Sequence, residues 1–221
     1  MRPEHVNAAL ASASSGAVVE GGVGGGTGMI CHGFKGGIGT ASRVLPPESG
    51  GYVVGVLVQA NHGRRARLVV DGVRVGELVS ADVVPLPGAR VQGGGSIIVV
   101  VATNAPVIPT QLERLAQRPT LGIARLGAGG EHFSGDLFIA FSTANRGLPA
   151  DDYGGSSPLT VEVAMLANTY ITELFDAVAE ATEEAVLNAL LAGETMTGRD
   201  AITAYGLDAD VLERTLAGRH S

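Results

Sequence analysis

The chain has 221 residues, 45% hydrophobic, 17% charged and 4% aromatic, with no tryptophan and a net charge of −7 at pH 7. That apolar share excludes extended disorder, and the length suffices for one domain with a sizeable core. The negative balance and scarce aromatics argue against a nucleic-acid partner, and no stretch approaches the ~18 apolar residues of a membrane span.

In chain order, Pro3 to Ala13 predicts a short helix, with proline in its first turn and Val6 and Leu10 four apart. Ala17 to Glu20 reads as a short strand, followed by the dense glycine run Gly21 to Gly28. Met29 to Phe34 fits a strand, and Lys35 to Thr40 a second glycine segment. Tyr52 to Ala60 reads as a buried strand ending at the turn signal Asn61-His62-Gly63. Arg67 to Gly76 suits a hairpin turning at Asp71-Gly72, and Glu77 to Gly95 a loose linker. Residues 97–103 form a β-branched strand, Pro109 to Gln117 a helix, and Leu121 to Leu126 and Asp136 to Ser142 two more strands. Pro158 to about Ala192 carries the longest helical pattern, with short helices expected at Gly198–Ala204 and Asp208–Leu216. Strands followed by long helices predict an α+β fold with helices layered on sheets.

The segment richest in chemistry is Gly93-Gly94-Gly95-Ser96, set directly before the strand. Glycine leaves its carbonyl open to attack, and a rigid strand would hold Ser96 in place. If the Gly95–Ser96 bond breaks, Ser96 gains an α-amine and carries nucleophile and base together. Read locally, the same junction also fits a plain glycine linker entering a core strand. Ser134 and Asp136, two apart at a strand start, point to one side and could both bond an amine; a capped turn is the simpler reading. Asn61 could donate its amide to a developing oxyanion, or be an ordinary turn asparagine. His62 is the best-placed candidate base and otherwise an exposed turn residue. No Gly-x-Gly-x-x-Gly or Walker pattern occurs, and Lys35 follows Phe34 rather than glycine. Cys31, the only cysteine, adjoins His32 without ligand spacing, so neither a disulfide, a metal nor a cofactor is expected.

Several long stretches, in order, resemble one family. They are Glu20 to Met29, Phe34 to Arg43, Val56 to Asn61, Gly95 to Thr103 and Ser134 to Asn145. Together they resemble the self-processing N-terminal-serine aminopeptidases, the L-aminopeptidase/D-esterase (DmpA-type) and β-aminopeptidase group. The resemblance implies a four-layer αββα sandwich made from two chains cut from one precursor at Gly95–Ser96. Residues 1–95 would be the C-terminal part of the first subunit, ending in a flexible linker, and 96–221 the second, together one domain. Ser96 would be the nucleophile, Asn61 the oxyanion donor, and Ser134 and Asp136 the groups that orient the Ser96 amine. Relatives carry a long segment before the part resembling Pro3, so the first subunit, and with it the sandwich, is expected to be incomplete here.

The activity implied is removal of amino-terminal residues from short peptides, amides or esters, without a cofactor or metal, by homo-oligomers of processed heterodimers. A soluble chain, cytoplasmic or periplasmic and with no membrane partner, is expected. Two further readings remain: an inactive truncated fragment or binding module of the same fold, and an acyltransferase with similar autoprocessing, whose relatives usually cut before threonine.

Overall fold

A computed structural model describes residues 2–88, 95–149 and 158–218. In chain order its elements are α1 (Pro3–Ala11), β1 (Ile30–Cys31), β2 (Phe34–Lys35), β3 (Gly37–Val44), β4 (Val53–Asn61) and α2 (Val75–Leu78). There follow β5 (Ser96–Thr103), α3 (Pro109–Ala116), α4 (Pro119–Arg125), β6 (Leu137–Ser142), α5 (Ile171–Leu191), β7 (Met196–Thr197), β8 (Thr203–Ala204) and α6 (Ala209–Ala217). No helix among the described residues is long and apolar enough to cross a membrane.

The centre is a mixed sheet in the order β3-β4-β5-β6. β3, β4 and β5 are antiparallel neighbours, whereas β5 and β6 run parallel. Parallel pairing needs a crossover, and α3 and α4 lie in the connection between β5 and β6. Side chains alternate between faces with period two. One face buries Val54, Val56, Val58 and Ala60 of β4 and Ile97, Val99 and Val101 of β5. Against it lies α5, whose inward stripe includes Leu174, Val178, Ala181, Ala185 and Ala189. On the β3 side, Arg43 pairs with Glu180 and Glu184 of α5. The opposite face is open among the described residues: Ile98 is 39% exposed, Leu137 63%, Ile139 58% and Phe141 44%. Register places Ser96 and Asn61 at one end of this open face.

Four expectations from sequence are corrected. The glycine segment before Thr40 is the start of β3, paired with β4 from Gly37↔Ala60 onward. Leu121 to Leu126 is helical, not a strand: Pro119 opens the helix, and Ile123 and Leu126, three apart, are buried together. The long helix begins at Ile171 rather than Pro158. Before it, Asn145 accepts from the Ala164 N–H and donates to the Ala164 carbonyl, holding that segment out of helix in the manner of a ladder partner. Gly198–Ala204 is not helical either; β7 and β8 pair there, with Thr197 and Thr203 sharing a hydroxyl hydrogen bond of 2.8 Å.

Smaller differences follow the same logic. Ala17–Glu20 forms no strand, and only Gly21 bridges Ile38. The Arg67–Gly76 hairpin shrinks to one bridge, Val70↔Val73, around Asp71-Gly72, both at positive φ. The linker expected over 77–95 lies partly outside the described residues, as do Gly93 and Gly94.

Candidate active site

The parallel register of β5 and β6 builds the site. Because Ile98 stands beside Leu137, the three residues before β6 are carried to the start of β5. There the Ser134 hydroxyl lies 2.8 Å from the Gly95 carbonyl oxygen and 2.6 Å from Asp136 Oδ1, with one proton to offer between them. The Gly135 N–H donates to Ser96 Oγ at 2.8 Å. Asp136 Oδ1 also accepts from the Ile97 N–H at 3.1 Å. Ser134, Gly135 and Asp136 thus fold over the Gly95–Ser96 bond from one side.

From the other side comes Asn61, the last residue of β4 and the register partner of Ser96. Its Oδ1 accepts from the Ile30 N–H at 2.9 Å, which fixes the amide flip by hydrogen bonding and leaves Nδ2 facing the Gly95–Ser96 junction. A Cβ built on Gly95 would overlap the Asn61 carbonyl oxygen and lie 3.3 Å from Asn61 Nδ2. Only glycine fits immediately before Ser96 at this approach. All four residues singled out in the sequence, Ser96, Asn61, Ser134 and Asp136, therefore gather at one point of the open sheet face.

His62 does not join them as a base, nor is it an exposed turn residue. It is 5% exposed, with Nδ1 3.8 Å from Cys31 Sγ and its ring edge-on to His32. Burial pushes the His62 imidazole down to about 3 and the His32 imidazole down to about 4, so both rings are neutral near pH 7. Burial pushes the Cys31 thiol up to about 12.

Two buried cations that the sequence reading left without a role hold the loops around the site. Lys35 Nζ donates to the carbonyls of Gly26, Met29 and Gly36, and burial lowers its pKa. Arg65 donates to the carbonyls of His32, Gly33, Val79 and Val84 and stacks 3.4 Å above the Phe34 ring. Burial lowers its pKa to about 10, still far above neutrality, so it remains charged. Three and four satisfied carbonyls explain why each charge survives burial. The only sequence signal was a basic residue within two positions of a glycine, which is too common to carry that meaning.

Comparison with known proteins meets this geometry. The model of Peptidase family S58 matches residues 1–204. The β-peptidyl aminopeptidase BapA of Sphingosinicella microcystinivorans is 45% identical over 217 residues, covering 94% of this chain and 54% of that protein. A Burkholderia sp. β-aminopeptidase structure superposes with a TM-score of 0.90 at 52% identity, covering 97% of this chain and 58% of that one. The L-aminopeptidase D-Ala-esterase/amidase of Ochrobactrum anthropi, described as a serine aminopeptidase with a variant of the Ntn hydrolase fold, superposes with a TM-score of 0.85 at 42% identity. It covers 97% of this chain and 57% of that one. The chain therefore spans about half the length of the curated relatives it matches. With a family match over 204 of its 221 residues and an α+β architecture shared with these solved structures, the chain belongs to peptidase family S58.

Proposed function

We propose that the chain is a self-processing serine aminopeptidase that cuts itself between Gly95 and Ser96 and then removes amino-terminal residues from short peptides, amides or esters. One observation carries this reading. Ser134 Oγ sits 2.8 Å from the Gly95 carbonyl oxygen while the adjoining Gly135 N–H holds Ser96 Oγ. Acceptor carbonyl and nucleophile are thus each met by a donor from one short segment.

In the first stage Ser96 Oγ attacks the Gly95 carbonyl carbon, and Ser134 donates to the oxygen as negative charge develops there. The C–N bond breaks, the hydroxyl proton ends on the new amine, and Gly95 is left as an ester on Ser96 Oγ. Water opens that ester, giving a Gly95 carboxylate and a free Ser96 hydroxyl and α-amine. Residues 1–95 and 96–221 are then separate chains of one domain.

In the second stage the α-amine, ordinarily titrating at about 7.7–8.0, takes the hydroxyl proton as Ser96 attacks the substrate carbonyl. Asp136 and Ser134 orient that amine. Asn61 Nδ2 donates to the oxyanion, and an acyl-enzyme on Ser96 is hydrolysed. Substrates with amino-terminal β-residues or L-residues, or D-alanyl esters and amides, belong to the reading because the similar proteins are named for them. Association into homo-oligomers of processed heterodimers is part of the proposal, supported by the apolar residues on the open sheet face. That exposure also favours a second reading, a module of the same fold that does not turn over.

Asn61→Ala is expected to lower kcat by about 10²–10³-fold with little change in KM, because the lost donor acts on the transition state. Steady-state kinetics on a short β-peptide checks this; a change in KM alone would remove Asn61 from the chemistry.

The test of the whole reading is the intact mass of the purified full chain with a parallel amidase assay. Two pieces, 1–95 and 96–221, with Ser96 as a new amino terminus and turnover of a β-amino-acid amide, support it. Two pieces without turnover sustain self-processing and favour the second reading, and a single uncut chain without turnover overturns the proposal.

A further inference from the structure

Behind Asn61, away from the Ser96 hydroxyl, lies a cluster the proposed chemistry does not use. One ligand atom each from Cys31, His32 and His62 falls within 4.8 Å of the others, and all three residues are buried. His32 and His62 are separated from one another by thirty positions, so spacing along the chain hid the set. The β1 hairpin folds back along the end of β4, and the His32 N–H donates to the His62 carbonyl at 2.7 Å.

We propose that Cys31, His32 and His62 form a binding site for a soft monovalent d¹⁰ metal ion, Cu(I), held through one sulfur and two imidazole nitrogens.

Four observations carry this. First, His32 Nε2 and His62 Nε2 are buried side-chain nitrogens without a hydrogen-bond partner among the described residues, and the first of them is the one a metal would engage, since His62 faces Cys31 through Nδ1. Such orphans are rare in native interiors and call for an explanation. Second, His32 Nδ1 lies 3.2 Å from the Arg64 carbonyl oxygen. A carbonyl only accepts, so Nδ1 carries the hydrogen and Nε2 presents a bare lone pair. Metal-bound histidines are commonly oriented by this same bond to a backbone carbonyl.

Third, Cys31 Sγ and His62 Nδ1 stand 3.8 Å apart. With metal–sulfur and metal–nitrogen bonds of about 2.3 and 2.0–2.1 Å, that span corresponds to an angle of about 120° at the ion. That pair is sized to share one ion, His32 completes a set within 4.8 Å, and no further His, Cys, Asp or Glu belongs to the cluster among the described residues. Fourth, charge decides between ions. The Arg65 guanidinium is buried alongside and donates to the His32 carbonyl at 3.1 Å. One thiolate and two neutral imidazoles leave a divalent ion with an uncompensated positive charge in that setting, which is costly. A monovalent ion leaves none, and thiolate with imidazole suits Cu(I). Binding replaces the thiol hydrogen: the S–H bond is exchanged for a sulfur–copper bond, the proton leaves to solvent, and no electron is transferred.

The site is independent of the peptidase reading, because its readout is binding and requires no turnover. The experiment titrates the purified full chain, under anaerobic conditions, into Cu(I) held by the chromophoric chelator bicinchoninate. One equivalent of copper is expected to leave the chelator, and X-ray absorption of the loaded protein to show one sulfur and two nitrogens around it. Cys31→Ser, His32→Phe and His62→Phe are each expected to lose that equivalent while circular dichroism stays that of the parent chain. Where a variant fails to fold, the absorption spectrum of the unaltered chain decides alone. No copper withdrawn, sulfur-free ligation, or retention by folded Cys31→Ser would overturn the site. Tighter binding of Zn(II) than of Cu(I) would overturn the assignment of a monovalent ion.

Discussion

Ser96→Ala is expected to leave the chain as a single uncut polypeptide and to remove amidase turnover by a factor on the order of 10⁶, the scale at which loss of a serine nucleophile is felt. The effect is chemical rather than structural. In the fold Ser96 Oγ accepts one hydrogen bond, from the Gly135 N–H, and Ser96 opens a strand whose pairing is made by backbone atoms. Losing that bond costs about 1 kcal/mol, against a domain stability of about 5–15 kcal/mol, so the variant folds. What disappears is the hydroxyl that both proposed stages require. Ser134→Ala supplies the graded control. It keeps the nucleophile but leaves the Gly95 carbonyl without its side-chain donor, and cleavage should slow by about 10²–10³-fold rather than cease. Mass spectrometry over time separates the two. Pieces 1–95 and 96–221 appearing in Ser96→Ala at the parent rate would mean that another protease makes the cut, and the self-processing reading would fall.

The strands were legible where β-branched residues run together, as in Ile97-Ile98-Val99-Val100-Val101, because a strand buried on one face and half-covered on the other tolerates apolar residues at every position. The four site residues were legible as motifs, yet their meeting was not. Ser134 reaches Gly95 only through the parallel pairing of β5 with β6, a contact across 39 positions that no local period encodes. Asn61 looked like a turn residue because it ends β4; its role as partner of Ser96 and acceptor from Ile30 comes from register. Leu121 to Leu126 misled because a six-residue apolar run fits either period, and Pro119 was the stronger signal. His62 misled in the other direction. An Asn-His-Gly turn looks exposed, but the β1 hairpin covers it. For Asn61, Ser134 and His62, what the sequence hid are contacts between segments far apart in the chain.

Those distant contacts also explain the glycines. Gly39→Val is expected to destabilise the fold by about 3 kcal/mol or more, an overpacking cost at the upper end of the usual range. A Cβ at Gly39 would fall on the Ala185 carbonyl oxygen and lie 2.6 Å from the Ala189 backbone nitrogen and 2.9 Å from its Cβ. The first two are backbone atoms within α5 and the third is fixed directly to that backbone, so they cannot move aside as a long side chain would. Either α5 lifts from β3, or the strand leaves its register with β4. The same substitution at Gly55 makes the control. Gly55 lies in β4 on the other face of the sheet, and a Cβ there meets nothing within 4 Å. A β-branched residue in that open strand position removes the entropy cost of glycine, so Gly55→Val should be neutral or stabilising by up to about 1 kcal/mol. Urea midpoints of the two variants read the difference directly. For a chain of this size, about 3 kcal/mol lowers Tm by roughly 6–12 °C. An unchanged midpoint for Gly39→Val would mean that α5 does not press on β3 as described, and the close helix–sheet contact that supports the whole buried face would have to be redrawn.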